Sequence, residues 1–267
     1  MHSNDIWPRR FKPMSAYNKT WTFNEITRWP MWVSEKLDGI RFLANGMYIY
    51  SKQLKLIPNK YLQIELPARL EHGVEGELII PGADFHTIQS VVMSEHHERE
   101  KEVQFKLFDW WNKPSLSYES RYMTLPVANR VHQTSTNKLA LEGFAEFYGL
   151  SEKEGYIIRS PSARYKSGRC TLREQNMFKY VEWVRDEGVC EAVTGNTQHD
   201  DRIGGLSLST KKFGEVVVGS GFTLEQSRQW RKDTSSIKYK TITFKYKPFG
   251  MKDKPRQPIF VGVRYDN

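Results

Sequence analysis

Residues 34–41, SEKLDGIR, place one lysine between Glu35 and an Asp-Gly pair, with Arg41 just behind it. A lysine nucleophile must first lose a proton that it normally holds up to a pH of about 10.4. Neighbouring cations or a bound metal favour the neutral amine. Arg41 carries a rigid, permanently charged fork suited to clamping phosphate or sugar oxygens. Further candidates stand in strand-like stretches: Glu77 in VEGELII, Phe108-Asp109 in FKLFDWW, Glu154-Gly155 in KEGYIIRS and Lys179 in NMFKYV. Glu77 and Glu154 can hold hydroxyl groups and a divalent cation, for which Mg²⁺ is the best match. Lys179 is a cation of the kind that a reactive Lys36 requires. Each residue also has a plain alternative. SEKLDGIR reads equally as strand, turn and strand, with Gly39 supplying a positive φ. The glutamates read as exposed strand-end acids, Phe108 as core and Lys179 as a surface residue.

The elements that would position these side chains are mostly strands. MWVSEKL, IRFLANGMYIYS, VEGELII, VQFKLFDWW, EGYIIRS, MFKYVEWV, EVVVGSGF, IKYKTITFKYK and PIFVGVRY are rich in β-branched and aromatic residues and bounded by Gly, Pro or Asn. Helices are expected within 59–70, 116–133, 136–148 and 224–232. Leu139, Phe144 and Phe147 would line one face of the third, and Thr223 with Gln226 forms a capping-box pattern for the last. Residues 1–186 therefore read as an α+β domain with antiparallel sheets. Residues 187–267 read as a small β-barrel of about five strands, such as an OB-fold.

Composition narrows the partners. The chain has 267 residues, 39% hydrophobic and 13% aromatic, enough for a real core. Two cysteines without a CxxC exclude a disulfide framework or a Cys-rich zinc site and fit a reducing compartment. The N-terminus has no apolar signal region and no long uncharged apolar run follows, so a cytoplasmic protein without a membrane span is expected. Residues 228–256 hold ten Lys/Arg against two Asp, which is +8 of the net +9. Trp230, Tyr239, Phe244, Tyr246 and Phe249 are interleaved with that charge, a pattern suited to nucleic acid.

Taken in order, the candidates resemble the covalent nucleotidyltransferases: ATP-dependent DNA ligases, RNA ligases and mRNA capping enzymes. Lys36–Arg41 matches the family motif Lys-x-Asp-Gly-x-Arg throughout. Glu77 in EGEL, Phe108-Asp109, Glu154-Gly155-Tyr156-Ile157-Ile158 and Lys179 match the later motifs, and Lys12–Ala16 resembles the loop ahead of the nucleotide pocket. YKSGRCTLREQNMFK, GSGF and KDKPRQPIFVGVR resemble the small virus-encoded DNA ligases of the chlorella virus type. The resemblance implies a nucleotidyltransferase domain followed by an OB-fold domain, acting as a monomer on nicked duplex DNA. It implies ATP, with AMP carried on Lys36, and Mg²⁺ or Mn²⁺ held by Glu154 and Glu77. Lys36 and Lys179 would be catalytic. Lys36, Arg41, Glu77, Phe108, Glu154 and Lys179 would bind the nucleotide, with Phe108 stacked on the purine and Lys179 on the α-phosphate. Lys52, Lys238, Lys240, Lys245, Lys247, Lys252, Lys254 and Arg256 are the expected DNA contacts. RNA ligation or mRNA capping through the same lysine chemistry is the alternative.

Three positions depart from the family pattern. Val181 stands where a second lysine is usual, Lys52 where an arginine is usual, and Asn267 where the C-terminal Arg-x-Asp-Lys motif has lysine. The first departure predicts slow lysine adenylylation or a substitute cation. The last argues against capping. The tract NTQHDDRIG, 196–204, is short and carries two aspartates, which predicts that it does not clamp DNA.

Overall fold

A computed structural model describes residues 7–19, 21–141, 154–181, 183–248 and 253–264. The chain divides into two units, 1–180 and 181–267. The division precedes the composition shift at 186, because β9 (Val184–Gly195) is one twelve-residue strand that begins earlier. The stretch MFKYVEWV is accordingly shared: Met177–Tyr180 closes the first unit as a strand, and Val184 opens the next.

The first unit is α+β and contains two antiparallel four-stranded sheets. One has the order β3-β2-β4-β5, built from β2 (Ile40–Asn45), β3 (Tyr48–Ser51), β4 (Val74–Ile79) and β5 (Gln104–Trp110). The other has the order β6-β1-β7-β8, built from β1 (Met31–Glu35), β6 (Thr134–Thr136), β7 (Tyr156–Arg159) and β8 (Met177–Tyr180). Helices α1 (Lys60–Glu65), α2 (Phe85–Val92) and α3 (Tyr118–Met123) pack on the first sheet. Leu62, Ile88, Val91 and Tyr118 join Phe42, Leu78 and Leu107 in its core.

Two expected helices form in shortened versions. Asn59 caps α1 through the Leu62 amide, and α1 ends before Pro67. The α3 helix ends before Pro126, as the missing N–H and ring clash of proline require. Of the expected helix at 136–148, residues 142–148 lie outside the described residues. Leu139, assigned to its buried face, is 79% exposed, whereas Leu141 is buried. The sequence reading missed α2, whose N-cap Asp84 accepts from the Thr87 amide. Its Val-Val end has the β-branched character of a strand.

SEKLDGIR is not a hairpin. β1 and β2 lie in different sheets, so Lys36–Gly39 crosses from one to the other. Nor does Gly39 serve by adopting positive φ. A Cβ there would lie 2.2 Å from the Leu78 carbonyl oxygen, so glycine is required by close backbone approach.

The second unit is a five-stranded antiparallel sheet in the order β11-β10-β9-β12-β13. Its remaining strands are β10 (Ile203–Thr210), β11 (Gly214–Val218), β12 (Thr241–Lys247) and β13 (Arg256–Arg264). The sheet coils until its outer strands meet. The Phe260 amide donates to the Ser220 carbonyl at 2.8 Å, and Lys254 Nζ donates to the Phe213 and Glu215 carbonyls at 2.8 and 2.6 Å. Helix α4 (Leu224–Lys232) begins with the expected Thr223–Gln226 capping box. Strand alternation corrects one reading of the basic stretch. Trp230, Phe244 and Tyr246 are buried in the core of this unit, and only Tyr239, 71% exposed, presents a ring to solvent among its described aromatics. No described helix is long and apolar enough to cross a membrane.

Candidate active site

A cavity of about 450 Å³ opens in the first unit, with walls from both sheets. Lys36, just past the end of β1, enters from one side, together with Ile157 of β7 and Lys179 of β8. Arg41 of β2, Glu77 of β4 and Phe108 of β5 line it from the other. The fold thus gathers Lys36, Arg41, Glu77, Phe108 and Lys179 in one pocket. Glu154 joins them through an ion pair with the Lys36 amine. Backbone pairing fixes the approach: the Lys36 amide donates to the Gly155 carbonyl at 2.8 Å, and Arg41 lies opposite Glu77 in the β2–β4 ladder.

The charges are strongly coupled. Burial pushes the Glu77 carboxyl up to about 7, with Glu154 adding repulsion and Lys36 and Arg41 opposing it. That carboxyl is therefore about half protonated near pH 7. Lys52, also in the pocket wall, is lowered by burial and then by Arg41 and Arg169. So many cations around one cavity suit a polyphosphate.

Arg41 is less free than its motif position suggests. Its Nη1 donates to the Met14 carbonyl and its Nη2 to Glu75, each at 2.7 Å. Only its buried Nε is unpartnered. The guanidinium also stands 5.3 Å from the centre of the Phe108 ring.

Behind the pocket lies a buried ionic network that sequence reasoning missed. Asp109 takes Arg121 Nε at 2.6 Å and Arg159 Nη1 at 2.8 Å. Tyr165 donates to Glu75 at 3.1 Å, and Arg159 stacks 4.3 Å above the Tyr118 ring. Burial raises the Glu75 carboxyl, with Arg41 opposing that shift. Glu75 was legible in principle: VEGE puts it two residues before Glu77, on the same face of β4. Arg159 and Arg169, both in the cavity wall, stand in quoted stretches but had no spacing signal of their own.

The expected DNA contacts are distributed as follows. Lys52 lines the cavity between the two sheets. Lys238 stands over the Tyr239 ring, followed by Lys240, while Lys245 and Lys247 both stand over Trp183 at 5.1 and 5.9 Å. Lys254 is engaged by the two carbonyls that close the sheet, and Arg256 begins β13. Lys252 lies outside the described residues. In the 196–202 loop, Asp201 bonds both Arg202 and Arg228, which hold its carboxyl down at about 2.

Known DNA ligases are similar to this chain in sequence and in fold. Residues 194–264 match the family model of the DNA ligase OB-like domain. A Haemophilus influenzae DNA ligase is 26% identical over 251 residues, covering 89% of this chain and 87% of that protein. A chlorella virus DNA ligase-adenylate structure matches with 28% identity and a TM-score of 0.57, covering 96% of this chain and 99% of its own. A structure from a structure–function study of Lig E DNA ligases, on DNA binding with a minimal scaffold, matches with 26% identity and a TM-score of 0.76, covering 95% and 99%. The chain is similar to DNA ligases over nearly its whole length. Within that likeness the cavity between the two sheets is the candidate nucleotide site, and the OB-like domain falls in the second unit.

Proposed function

We propose that this protein seals nicks in duplex DNA, using ATP to activate the 5′-phosphate through AMP carried on Lys36. The observation that carries the reading is the Lys36 amine held by Glu154 in a cavity whose opposite wall bears Arg41, Glu77 and Phe108.

In the first step Lys36 Nζ attacks the α-phosphorus, a nitrogen–phosphorus bond forms and pyrophosphate leaves. Glu154, already in contact with the amine, is placed to take its proton. Lys179, Lys52 and Arg169 line the cavity as cations that balance the charge of the phosphates. Phe108 offers a ring for the purine to stack on. In the second step a nick 5′-phosphate oxygen takes AMP from Lys36 and frees the amine. In the third the 3′-hydroxyl attacks the activated phosphate and AMP departs.

Among the described residues no cluster of three or more metal-ligating side chains exists. Glu77 and Glu154 alone suit a cation that completes its shell with phosphate oxygens and water, which is the habit of Mg²⁺. Such a cation, when bound, would supply positive charge to the transferring phosphate. Lys245, Lys247, Lys238, Lys240 and Arg256 provide charge for the duplex backbone. The protein acts as a monomer in the cytoplasm.

The test is incubation with α-labelled ATP or GTP and Mg²⁺, followed by denaturing electrophoresis and a nick-sealing assay. Label retained from ATP, not GTP, together with a sealed DNA nick, is the expected result. Label retained only from GTP would make it a capping-type enzyme.

A further inference from the structure

Three pocket-lining residues carry a buried side-chain atom with no hydrogen-bond partner: Arg41 Nε, Arg159 Nε and Gln133 Oε1. Two are cationic donors. The third is a neutral acceptor, and leaving such an atom dry costs free energy that a ligand can recover.

The position of Gln133 gives that atom a role. Thr134 pairs with Val33 across β6 and β1, and the residues preceding and following them, Gln133 and Ser34, both line the cavity. The preceding segment is tied to β5: the Leu107 amide donates to Asn129, and the Val131 amide donates to Leu107, each at 2.8 Å. Gln133 is thus held between the strand that carries Phe108 and the strand that leads to Lys36. Its other amide atom is committed. Nε2 donates to the Tyr118 hydroxyl at 3.0 Å, and Tyr118 is itself fully buried beneath Arg159. With its nitrogen anchored, the amide leaves its oxygen available.

We propose that Gln133 Oε1 accepts a hydrogen bond from the 6-amino group of adenine and so determines the base preference of the pocket. This rests on the reading of the cavity as an ATP site. Adenine presents a donor at its sixth position, whereas guanine presents an acceptor oxygen there. Guanine would set two acceptors against each other and leave Gln133 unsatisfied. A site built around a hydrogen bond rejects a base that lacks the matching group far better than an apolar pocket does.

The test compares α,β-methylene triphosphates of adenosine, guanosine and purine riboside, which lacks the 6-amino group. These analogues cannot transfer a nucleotide, so calorimetry reports binding alone. The parent protein is expected to bind the adenosine compound about tenfold more tightly than the purine riboside compound, the worth of one hydrogen bond. Gln133→Leu should bind those two alike. Gln133→Glu, which keeps an acceptor, should retain a preference for adenosine, and it carries the test if the leucine variant does not fold. An undiminished tenfold preference in Gln133→Leu, equal weakening toward both compounds, or loss of preference in Gln133→Glu would overturn the assignment. A parent protein that binds no triphosphate would overturn the ligase reading as well.

Discussion

At the scale of single residues, Lys36 is the sharpest commitment. Lys36→Ala should abolish the protein–AMP adduct on a denaturing gel while sealing of pre-adenylylated nicks survives, since that step needs no new lysine–AMP bond. Lys36→Arg should not restore the adduct, because a guanidinium stays protonated. Glu77 makes a different prediction. Its carboxyl titrates near 7 in the folded protein against an ordinary value of 4.5, so the fold binds its proton more tightly than the unfolded chain. The resulting penalty is absent below pH 4.5, grows as pH rises to 7 and is constant above. Glu77→Gln should therefore leave Tm unchanged at pH 4.5 and raise it by a few degrees at pH 8, while slowing adenylylation. An identical Tm difference at both pH values would contradict this. Val181 is half-buried just past β8, and Lys52 and Arg169 already bring charge to the cavity. Val181→Lys should therefore alter single-turnover adenylylation little, and Arg169→Ala should slow it. That Lys36, the two glutamates and Phe108 share one cavity was legible because each occupies a strand end or face with a recognisable neighbour. Gln133 was not, because nothing in VHQTST distinguishes an amide aimed at a cavity from one facing water.

At the scale of elements, Asp109 joins β5 to α3 through Arg121 and to β7 through Arg159. It is buried, as are both arginines. Asp109→Ala would strand two buried cations and should cost about 3–5 kcal/mol of stability, read as a large fall in the urea midpoint. Loss below about 1 kcal/mol would mean that the two arginines find other partners. This network was hidden from the sequence because its members lie 12 to 50 residues apart and no local period connects them. Element types were legible where turn and capping signals agreed with hydrophobic period, as in α4. They failed where two signals conflicted, as in α2, whose β-branched residues obscured its cap. In the basic stretch the period itself held the answer: TITFKYK alternates, so Phe244 and Tyr246 point inward and Lys245 and Lys247 share the opposite face.

At the scale of the whole molecule, the +8 segment lies within the second unit, which is the basis for proposing that unit as the electrostatic partner of duplex DNA. Neutralising Lys245 and Lys247 together should weaken nick binding at moderate salt. It should also flatten the log–log salt dependence by up to about 1.8, or ~0.9 per phosphate contact. Asp201, already neutralised by Arg202 and Arg228, repels phosphate less than its formal charge suggests. Asp201→Asn frees both arginines and should leave nick affinity equal or improved in equilibrium titrations. A loss of affinity would make the loop a DNA contact in its own right. The crossing of Lys36–Gly39 between the two sheets has a consequence for how this chain can drift. The nucleophile hangs from one sheet and its charged counterparts from the other, so the short link acts as a spacer of set length. One inserted or deleted residue between Lys36 and Gly39 would either draw Lys36 away from Arg41 and Glu77 or force β2 out of register with β4. A library of single-residue insertions, sorted by ligation, should show a sharp silence there and broad tolerance across 196–202, where the chain merely turns.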